Sequence, residues 1–198
     1  MDESTRRPVR APAARRSEAP NAAARTAPGD ARRMPVDTLV IVAGGQTGVD
    51  RGAHKGARAM GVTGAGWCPA GRRAEDGVIP EWYPVQALPG AGPLQSTLKN
   101  VLDSDATALI GFGALAPGTV RVVEFCRKYR KPLIILDGEA MGATDAGEAV
   151  AAFVIQHGVA RLNVTGPSAR REPRGHDYAH AMVSALIQSL QTGTPAQT

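Results

Sequence analysis

Short apolar runs alternate along the chain with longer stretches in which apolar positions recur every three or four residues. The first run, residues 39–43, is continuous and rich in β-branched side chains, which is typical of a buried strand in a parallel sheet. Gly44, Gly45 and Gly48 follow it, and small or apolar residues then recur at helical spacing as far as Met60. The pattern therefore predicts a strand, a glycine turn and a helix.

The same alternation continues to residue 190. Further strands are predicted at 63–67, 83–88, 106–112, 132–136 and 161–164, and further helices at 94–102, 119–130, 145–157 and 176–190. Helices that connect strands in this way make right-handed crossovers, so the strands lie parallel and the helices cover the sheet. We therefore predict an α/β fold with three layers, a Rossmann-like parallel sheet with helices on both faces. Ligands of such sheets bind beyond the carboxyl ends of the strands.

Composition divides the chain into three parts. Residues 1–34 consist mostly of Arg, Ala and Pro and lack apolar periodicity, so we predict a disordered tail. Residues 35–192 are predicted to form a single Rossmann-like ligand-binding domain, and residues 193–198 a short flexible C-terminus. Eight arginines against four acids give residues 1–33 a charge of +4, nearly all of the chain's formal +5. The domain is therefore close to neutral, and the high pI says little about its ligand.

Several classes of function find no support. No apolar run is long enough to span a bilayer, and no secretory signal is visible, so we predict no membrane association. The arginines of the tail have no aromatic residues among them for base stacking, which makes nucleic acid an unexpected partner. Cys68 and Cys126 lie far apart and form no metal-ligand spacing. We predict no metal site, two small buried cysteines and a cytoplasmic location.

The first glycine turn is a candidate anion site. A strand, a glycine turn and a helix aim the first N–H groups of the helix, and its positive dipole end, at whatever occupies the turn. Gln46 and Thr47 add an amide and a hydroxyl, while His54 is predicted to lie on the helix surface. The turn has neither the dinucleotide G-x-G-x-x-G spacing nor the Gly-Lys-Ser/Thr of a Walker loop. A tight turn that binds nothing is the alternative.

Two later loops carry further candidates. Arg72 and Arg73 are followed by Glu75 and Asp76, so two guanidinium groups can grip an oxyanion beside acids that fix a hydroxyl or transfer a proton. The alternative is a solvated loop whose charges pair with each other. The loop 113–118 contains Gly118, precedes another predicted helix, and gives that helix Thr119 as a predicted N-cap.

Glu124 lies in the second turn of the same predicted helix and can reach a ligand hydroxyl. It shares one helix face with Arg121 and Lys128, so a surface ion pair is the alternative. If both glycine-containing bends lie at the same edge of the sheet, the helices that follow Gly45 and Gly118 begin at one shared pocket suited to negative charge.

Taken together, these segments resemble a known family. They are the glycine turn 44–51, the loop 66–77, residues 103–107, Gly118 and Thr119 with Glu124, residues 131–132, and residues 162–167. In this order they resemble the putative molybdenum carrier family, a circularly permuted YpsA-like branch of the Rossmann-like superfamily that also includes the LOG proteins. The resemblance extends from about residue 39 to about residue 190. The LOG enzymes carry a longer third loop with a nearer glutamate, and an arginine is expected where this chain has Ser168.

The resemblance implies a small anionic phosphate-bearing ligand, either a molybdenum cofactor (molybdopterin) or a nucleotide, and a homo-oligomer, either a dimer or a tetramer. The ligand-contacting residues that it implies are Gly44, Gly45, Gln46, Thr47, Gly48, Asp50, Arg51, Arg72, Arg73, Gly118 and Thr119. Two hypotheses follow. The first is a carrier that holds the ligand and breaks no bond. The second is a LOG-like hydrolase of the N-glycosidic bond of nucleoside 5'-monophosphates, with Glu124, Glu75 and Asp76 as the candidate catalytic carboxylates.

Overall fold

The structure is a computed structural model that describes residues 36–193. The predicted tail, residues 1–34, lies outside the described residues, as do residues 194–198 of the predicted C-terminal segment. The elements in chain order are β1 (Val40–Val42), α1 (Val49–Ala59), β2 (Thr63–Ala65), β3 (Trp67–Cys68), β4 (Arg73–Ala74), β5 (Gly77–Val78), β6 (Gln86–Ala87), α2 (Pro93–Leu102), β7 (Ala106–Gly111), α3 (Pro117–Lys128), β8 (Leu133–Asp137), α4 (Ala143–His157), β9 (Arg161–Thr165) and α5 (Gly175–Thr192). None of the helices in this part of the chain is both long and apolar enough to cross a membrane.

Five strands form one parallel sheet in the order β2-β1-β9-β7-β8. The last strand of the chain therefore lies in the middle of the sheet. If the chain were counted from β9 and continued through β1, the same sheet would have the Rossmann order 3-2-1-4-5. The strand order changes direction between β9 and β7, which is where sheets of this type open to a ligand.

Helices cover both faces of the sheet. On one face α5 packs against both α1 and α4, and on the other α2 packs against α3. Successive side chains of β7 point to opposite faces of the sheet. Ala108 and Ile110 belong to the core under α1, α4 and α5, whereas Leu109 packs with Val101 and Val122 under α2 and α3. The predicted three-layer α/β fold is confirmed.

The predicted strand 63–67 ends early, because the chain bends at Gly66. A Cβ atom on Gly66 would lie 1.8 Å from the Ala43 oxygen, so only glycine lets the two backbones approach this closely. Beyond the bend, β3 pairs with β6 and β4 pairs with β5, inside a segment predicted to be mostly loop. These short pairs enclose a small second core of Cys68, Ile79, Tyr83 and Val85.

Two predictions about single residues are wrong. Thr119 is not the N-cap of its helix, because α3 begins at Pro117 with Ala116 at the N-cap, and the Thr119 hydroxyl donates to the Ala116 oxygen at 2.7 Å. Proline suits the first helical position, where no N–H is needed. His54 is only 4% exposed, and burial lowers its pKa to about 4. Cys68 and Cys126 are buried, as predicted.

The close contact between α1 and α5 depends on Gly52. A Cβ atom at this position would lie 2.1 Å from the His176 oxygen. We expect Gly52→Ala to lower the free energy of unfolding by about 1–3 kcal/mol, because the two helices must separate to admit the methyl group. Urea denaturation followed by circular dichroism measures the change.

Gly118→Ala is the matched control, since nothing lies within 4 Å of a Cβ atom at this helical glycine. The control is expected to leave stability unchanged or slightly higher. Equal effects of the two substitutions would contradict the close-contact explanation.

Candidate functional site

A cavity opens at the carboxyl edge of the sheet, between β1 and β9 on one side and α2 and α3 on the other. It holds about 170 Å³ of space for water-sized groups, less than the roughly 300–1,000 Å³ typical of small-ligand sites, and it is partly open to solvent. Its lining residues are Gly44, Gln46, Asp50, Pro69, Arg73, Ile79, Pro93, Ser96, Thr97, Asn100, Gly118, Thr119, Val122, Asn163, Thr165 and Gly166.

The structure brings both predicted glycine bends to this cavity. Of the predicted ligand-contacting residues, those that line it are Gly44, Gln46, Asp50, Arg73, Gly118 and Thr119. The other predicted site residues are not among the lining residues; they are Gly45, Thr47, Gly48, Arg51, Arg72, Glu75, Asp76 and Glu124. The ligand-contacting and catalytic roles of all these residues stay predictions.

The two helix starts at this edge differ in what occupies them. The Val49 N–H of α1 donates to the Pro167 oxygen at 3.2 Å, so the chain itself fills that helix start. Gly48 permits the contact, because its φ is +79° and a Cβ atom would lie 2.6 Å from the same oxygen. In α3, by contrast, Gly118 and Thr119 line the cavity with first-turn N–H groups that have no partner within the helix.

Glu75 ties three loops together. Its carboxylate accepts hydrogen bonds from the Thr47 hydroxyl, from the Ser168 hydroxyl at 2.7 Å and from the Arg170 N–H at 3.0 Å. Partial burial opposes ionisation of Glu75, but these hydrogen bonds outweigh it and hold its pKa below the ordinary value. Its own N–H donates to Gln46 Oε1 at 3.0 Å. Glu75 therefore fixes the glycine turn in place.

Arg51 and Asp76 form a bidentate ion pair outside the cavity. The guanidinium donates to both Asp76 oxygens at 2.6 and 2.8 Å, and its Nε donates to the Gly45 oxygen at 3.0 Å. The hydrogen bonds from Arg51 hold the pKa of Asp76 below its usual range. This pair closes the glycine turn against the β4–β5 hairpin.

Arg72 and Arg73 are neighbours in sequence, but their side chains have different surroundings. The Arg72 guanidinium donates to four backbone oxygens, those of Ile79 at 3.0 Å, Pro80 at 2.8 Å, Tyr83 at 3.2 Å and Val85. It thus holds the segment that carries the second core. Arg73 is exposed at the cavity, and no side chain within residues 36–193 forms an ion pair with it.

Asp50 is a buried carboxyl group in the cavity wall. It is 8% exposed and accepts a hydrogen bond from the Gln46 N–H at 3.3 Å. Burial raises its pKa from the ordinary 3.8 to about 7, although the Gln46 N–H, the Thr165 hydroxyl and the Gly44 N–H oppose the rise. Buried carboxyls with raised pKa values are characteristic of functional sites.

Sequence reasoning missed the amides of the cavity. Asn163 is 2% exposed, and its Nδ2 donates to the Thr107 hydroxyl at 3.2 Å. Asn100 is held on both sides by Trp67, whose N–H donates to Oδ1 at 2.7 Å and whose oxygen accepts from Nδ2 at 2.9 Å. A signal for Asn163 was present, because an amide in the middle of an apolar strand must find a buried polar partner.

Glu124 forms the predicted surface pair. Its carboxylate accepts from Arg121 at 2.7 Å, and the two side chains are 52% and 60% exposed. Among residues 36–193, no three His, Cys, Asp or Glu side chains cluster in a way that could hold a metal ion.

Comparisons with known proteins agree with this architecture. Residues 41–187 match the model of the circularly permutated YpsA SLOG family. A crystal structure of the putative molybdenum carrier protein from Syntrophus aciditrophicus SB is similar to this chain, with 34% sequence identity and a TM-score of 0.72. The match covers 75% of this chain and 94% of that one. No curated protein matches the chain.

The different tasks of the two arginines can be tested with the same substitution at both. Arg72→Lys should lower the free energy of unfolding by about 2–4 kcal/mol, because a single ammonium cannot replace a planar fork that serves four backbone oxygens. Arg73→Lys should leave stability within about 0.5 kcal/mol, as expected of an exposed surface change. Urea denaturation of the two variants in parallel checks this, and equal losses would contradict it.

The buried carboxyl of Asp50 should make stability depend on pH. Between about pH 4 and pH 7 the folded protein keeps the Asp50 proton that the unfolded chain has lost. The free energy of unfolding of the wild type relative to Asp50→Asn should therefore fall as the pH rises through this range, by up to about 1.4 kcal/mol per pH unit, and level off above it. Urea denaturation at pH 5, 6, 7 and 8 measures this difference. A difference that stays constant would show that Asp50 ionises at its ordinary pKa.

Proposed function

This chain belongs to the circularly permutated YpsA SLOG family, and on that premise we propose that it is a carrier of a small phosphate-bearing ligand, a molybdenum cofactor or a nucleotide. The ligand binds in the cavity at the carboxyl edge of the sheet. The sheet order supports this proposal, since counting from β9 restores the Rossmann order and puts the cavity at the change of strand direction. The similar protein from Syntrophus, described as a putative molybdenum carrier, is consistent with this proposal.

One observation carries the proposal. Arg73, which has no ion-pair partner among the described residues, lines the same cavity as the open first turn of α3. A guanidinium group and free N–H groups at a positive helix end favour the same kind of ligand, a phosphate or similar anion. The phosphate of the ligand accordingly binds between Arg73 and the start of α3.

The rest of the cavity suits the remainder of such a ligand. Its polar lining consists of amides, hydroxyls and one carboxyl group, and Pro69, Ile79, Pro93 and Val122 supply apolar surface. An apolar wall with a few fixed polar groups is the usual composition of a small-ligand site. Gln46, Asp50, Asn163 and Thr165 are the residues that would hold the ring of the ligand, while the cofactor itself would supply any redox chemistry after delivery.

The alternative, hydrolysis of an N-glycosidic bond, has less support. Glu75 is engaged by Thr47 and Ser168, Asp76 by Arg51, and Glu124 by Arg121. A general acid or base must reach the reacting group within hydrogen-bond distance, and none of the three lines the cavity. The carrier therefore remains the proposed function, and the protein is expected to release no free base from AMP or GMP.

The binding of an anion at the start of α3 can be tested at Gly118, where a side chain meets no other atom. Gly118→Asp puts a negative charge where the phosphate is proposed to bind, yet it suits the first turn of a helix, so the fold should persist. The probe is AMP or GMP, whichever binds the wild-type protein more tightly. The affinity of the variant for this nucleotide should fall by at least about tenfold. Isothermal titration calorimetry measures the affinities.

Gly118→Asn is the matched control, since it has nearly the same size without the charge, and it should stay within about threefold of the wild type. Equal losses in the two variants would indicate steric exclusion instead of charge repulsion. Absence of binding of both nucleotides, together with absence of a phosphate-bearing compound in mass spectra of the denatured protein, would remove the proposal. Chromatographic detection of released base would favour the hydrolase.

A further inference from the structure

The deep part of the cavity presents hydrogen-bond acceptors. Asn163 and Thr165 are two positions apart on β9, so they share the face of the strand that lines the cavity, and Thr165 also interacts with Asp50. One N–H of the Asn163 amide donates to the Thr107 hydroxyl, and the side-chain oxygen is left for another partner. In Gln46 it is the side-chain oxygen that is used, since it accepts from the N–H groups of Thr47 at 2.9 Å and Glu75 at 3.0 Å. Its amide N–H groups are left for another partner.

Within residues 36–193 Asp50 forms no ion pair, although the charge of Arg51 on the same helix acts on it. The cation next to it in sequence, Arg51, is turned to Asp76 and the Gly45 oxygen. The other cation of the cavity wall, Arg73, is exposed, whereas Asp50 is 8% exposed. The Asp50 carboxyl accepts a hydrogen bond of 3.3 Å from the Gln46 N–H and interacts with the Gly44 N–H and the Thr165 hydroxyl, which leaves part of its acceptor capacity unused. A donor from a ligand at this point offsets the cost of burying the carboxyl.

We propose that the ligand carries a ring edge with adjacent N–H and NH2 donors, the edge of the 2-amino-4-oxopyrimidine ring found in guanine and pterins, and that Asp50 and Asn163 receive it. Asp50 is then the residue that determines ring specificity. The inference rests on the proposed function, because it concerns the inner end of the same cavity. It extends that function because it predicts which of several ligands with the same phosphate and different rings binds most tightly.

Adenine is the informative comparison. Its pyrimidine edge puts a ring-nitrogen acceptor beside the 6-amino donor, so one acceptor would face the acceptors of the cavity floor. An unpaired buried acceptor costs more than a hydrogen bond gains, which makes this kind of discrimination strong. Hypoxanthine lies between the two bases, since it keeps the ring N–H and lacks the 2-amino group.

The charge state of the carboxyl provides a second test. A donor edge stabilises the ionised form of Asp50, so its binding near pH 7 should release a proton, whereas a ligand without donors at this point should not. Asp50 and Arg73 are the titratable side chains of the cavity lining, and Arg51 is the nearest other cation on the same helix. AMP and GMP carry the same phosphate, so the difference between them removes its contribution.

The experiment is a calorimetric titration of the full-length protein with GMP, IMP and AMP at pH 7, in two buffers of different ionisation enthalpy. Wild-type protein should bind GMP at least about tenfold more tightly than AMP, with IMP between them, and GMP should release more protons than AMP. Asp50→Asn should bring the GMP and AMP affinities to within about threefold. Asp145→Asn, which changes an exposed carboxyl in the first turn of α4, is the matched control and should keep the wild-type preference.

The outcomes separate this inference from the proposed function. A preference for AMP, or a GMP preference that survives Asp50→Asn, overturns the ring assignment. In either of these cases, if Gly118→Asp still weakens binding of the preferred nucleotide, the anion site stands although the ring assignment has failed. Absence of GMP binding to the wild type overturns the assignment directly. If Asp50→Asn does not fold, the proton count on the wild type decides, and equal proton release with GMP and AMP overturns the inference.

Discussion

Direct contact between backbones at three glycines is the constraint on which the rest of the structure depends. At Gly48, Gly52 and Gly66 a side chain would collide with the oxygens of Pro167, His176 and Ala43, respectively. These contacts press the first strand-turn-helix unit against the last one and against the neighbouring segment. As a result the start of α1 is filled by the chain itself, and the start of α3 remains to face the cavity. The position of the helix start that faces the cavity is thus a consequence of where the glycines allow close approach.

Residues that are neighbours in sequence differ in whether their charge is paired within the protein. Arg72 is consumed by four backbone oxygens while Arg73 is exposed at the cavity, and Arg51 pairs with Asp76 while Asp50 is buried without a cation. In each pair one residue is held by partners within the protein, and the other forms no ion pair among the described residues. The paired charges can therefore fix the geometry of the unpaired ones beside them.

The sequence predicted the fold and the edge of the sheet at which the cavity lies, because both depend on periodicity and on the positions of glycines. It did not predict which member of each charged pair faces the cavity, since this choice depends on partners distant in the chain, such as the carbonyl of Val85 for Arg72. His54 was misplaced for a similar reason: the edge strand and Tyr83 cover a helix face that the spacing of polar residues alone assigns to solvent. The role of the Asn163 amide could be recognised only from the sheet order, which places β9 in the middle of the sheet and Asn163 at the cavity.

The sheet order also links the cavity to completion of folding. Strands β1 and β7 both pair with β9, so they are joined only after the last strand has entered between them. Two floor residues of the cavity, Asn163 and Thr165, belong to that strand, whereas Asp50 and Gly118 belong to segments that precede it in the chain. The complete lining of the cavity therefore requires β9 in its place in the sheet. A ligand that binds there interacts with the native state alone, and its binding energy is added to the stability of the inserted strand.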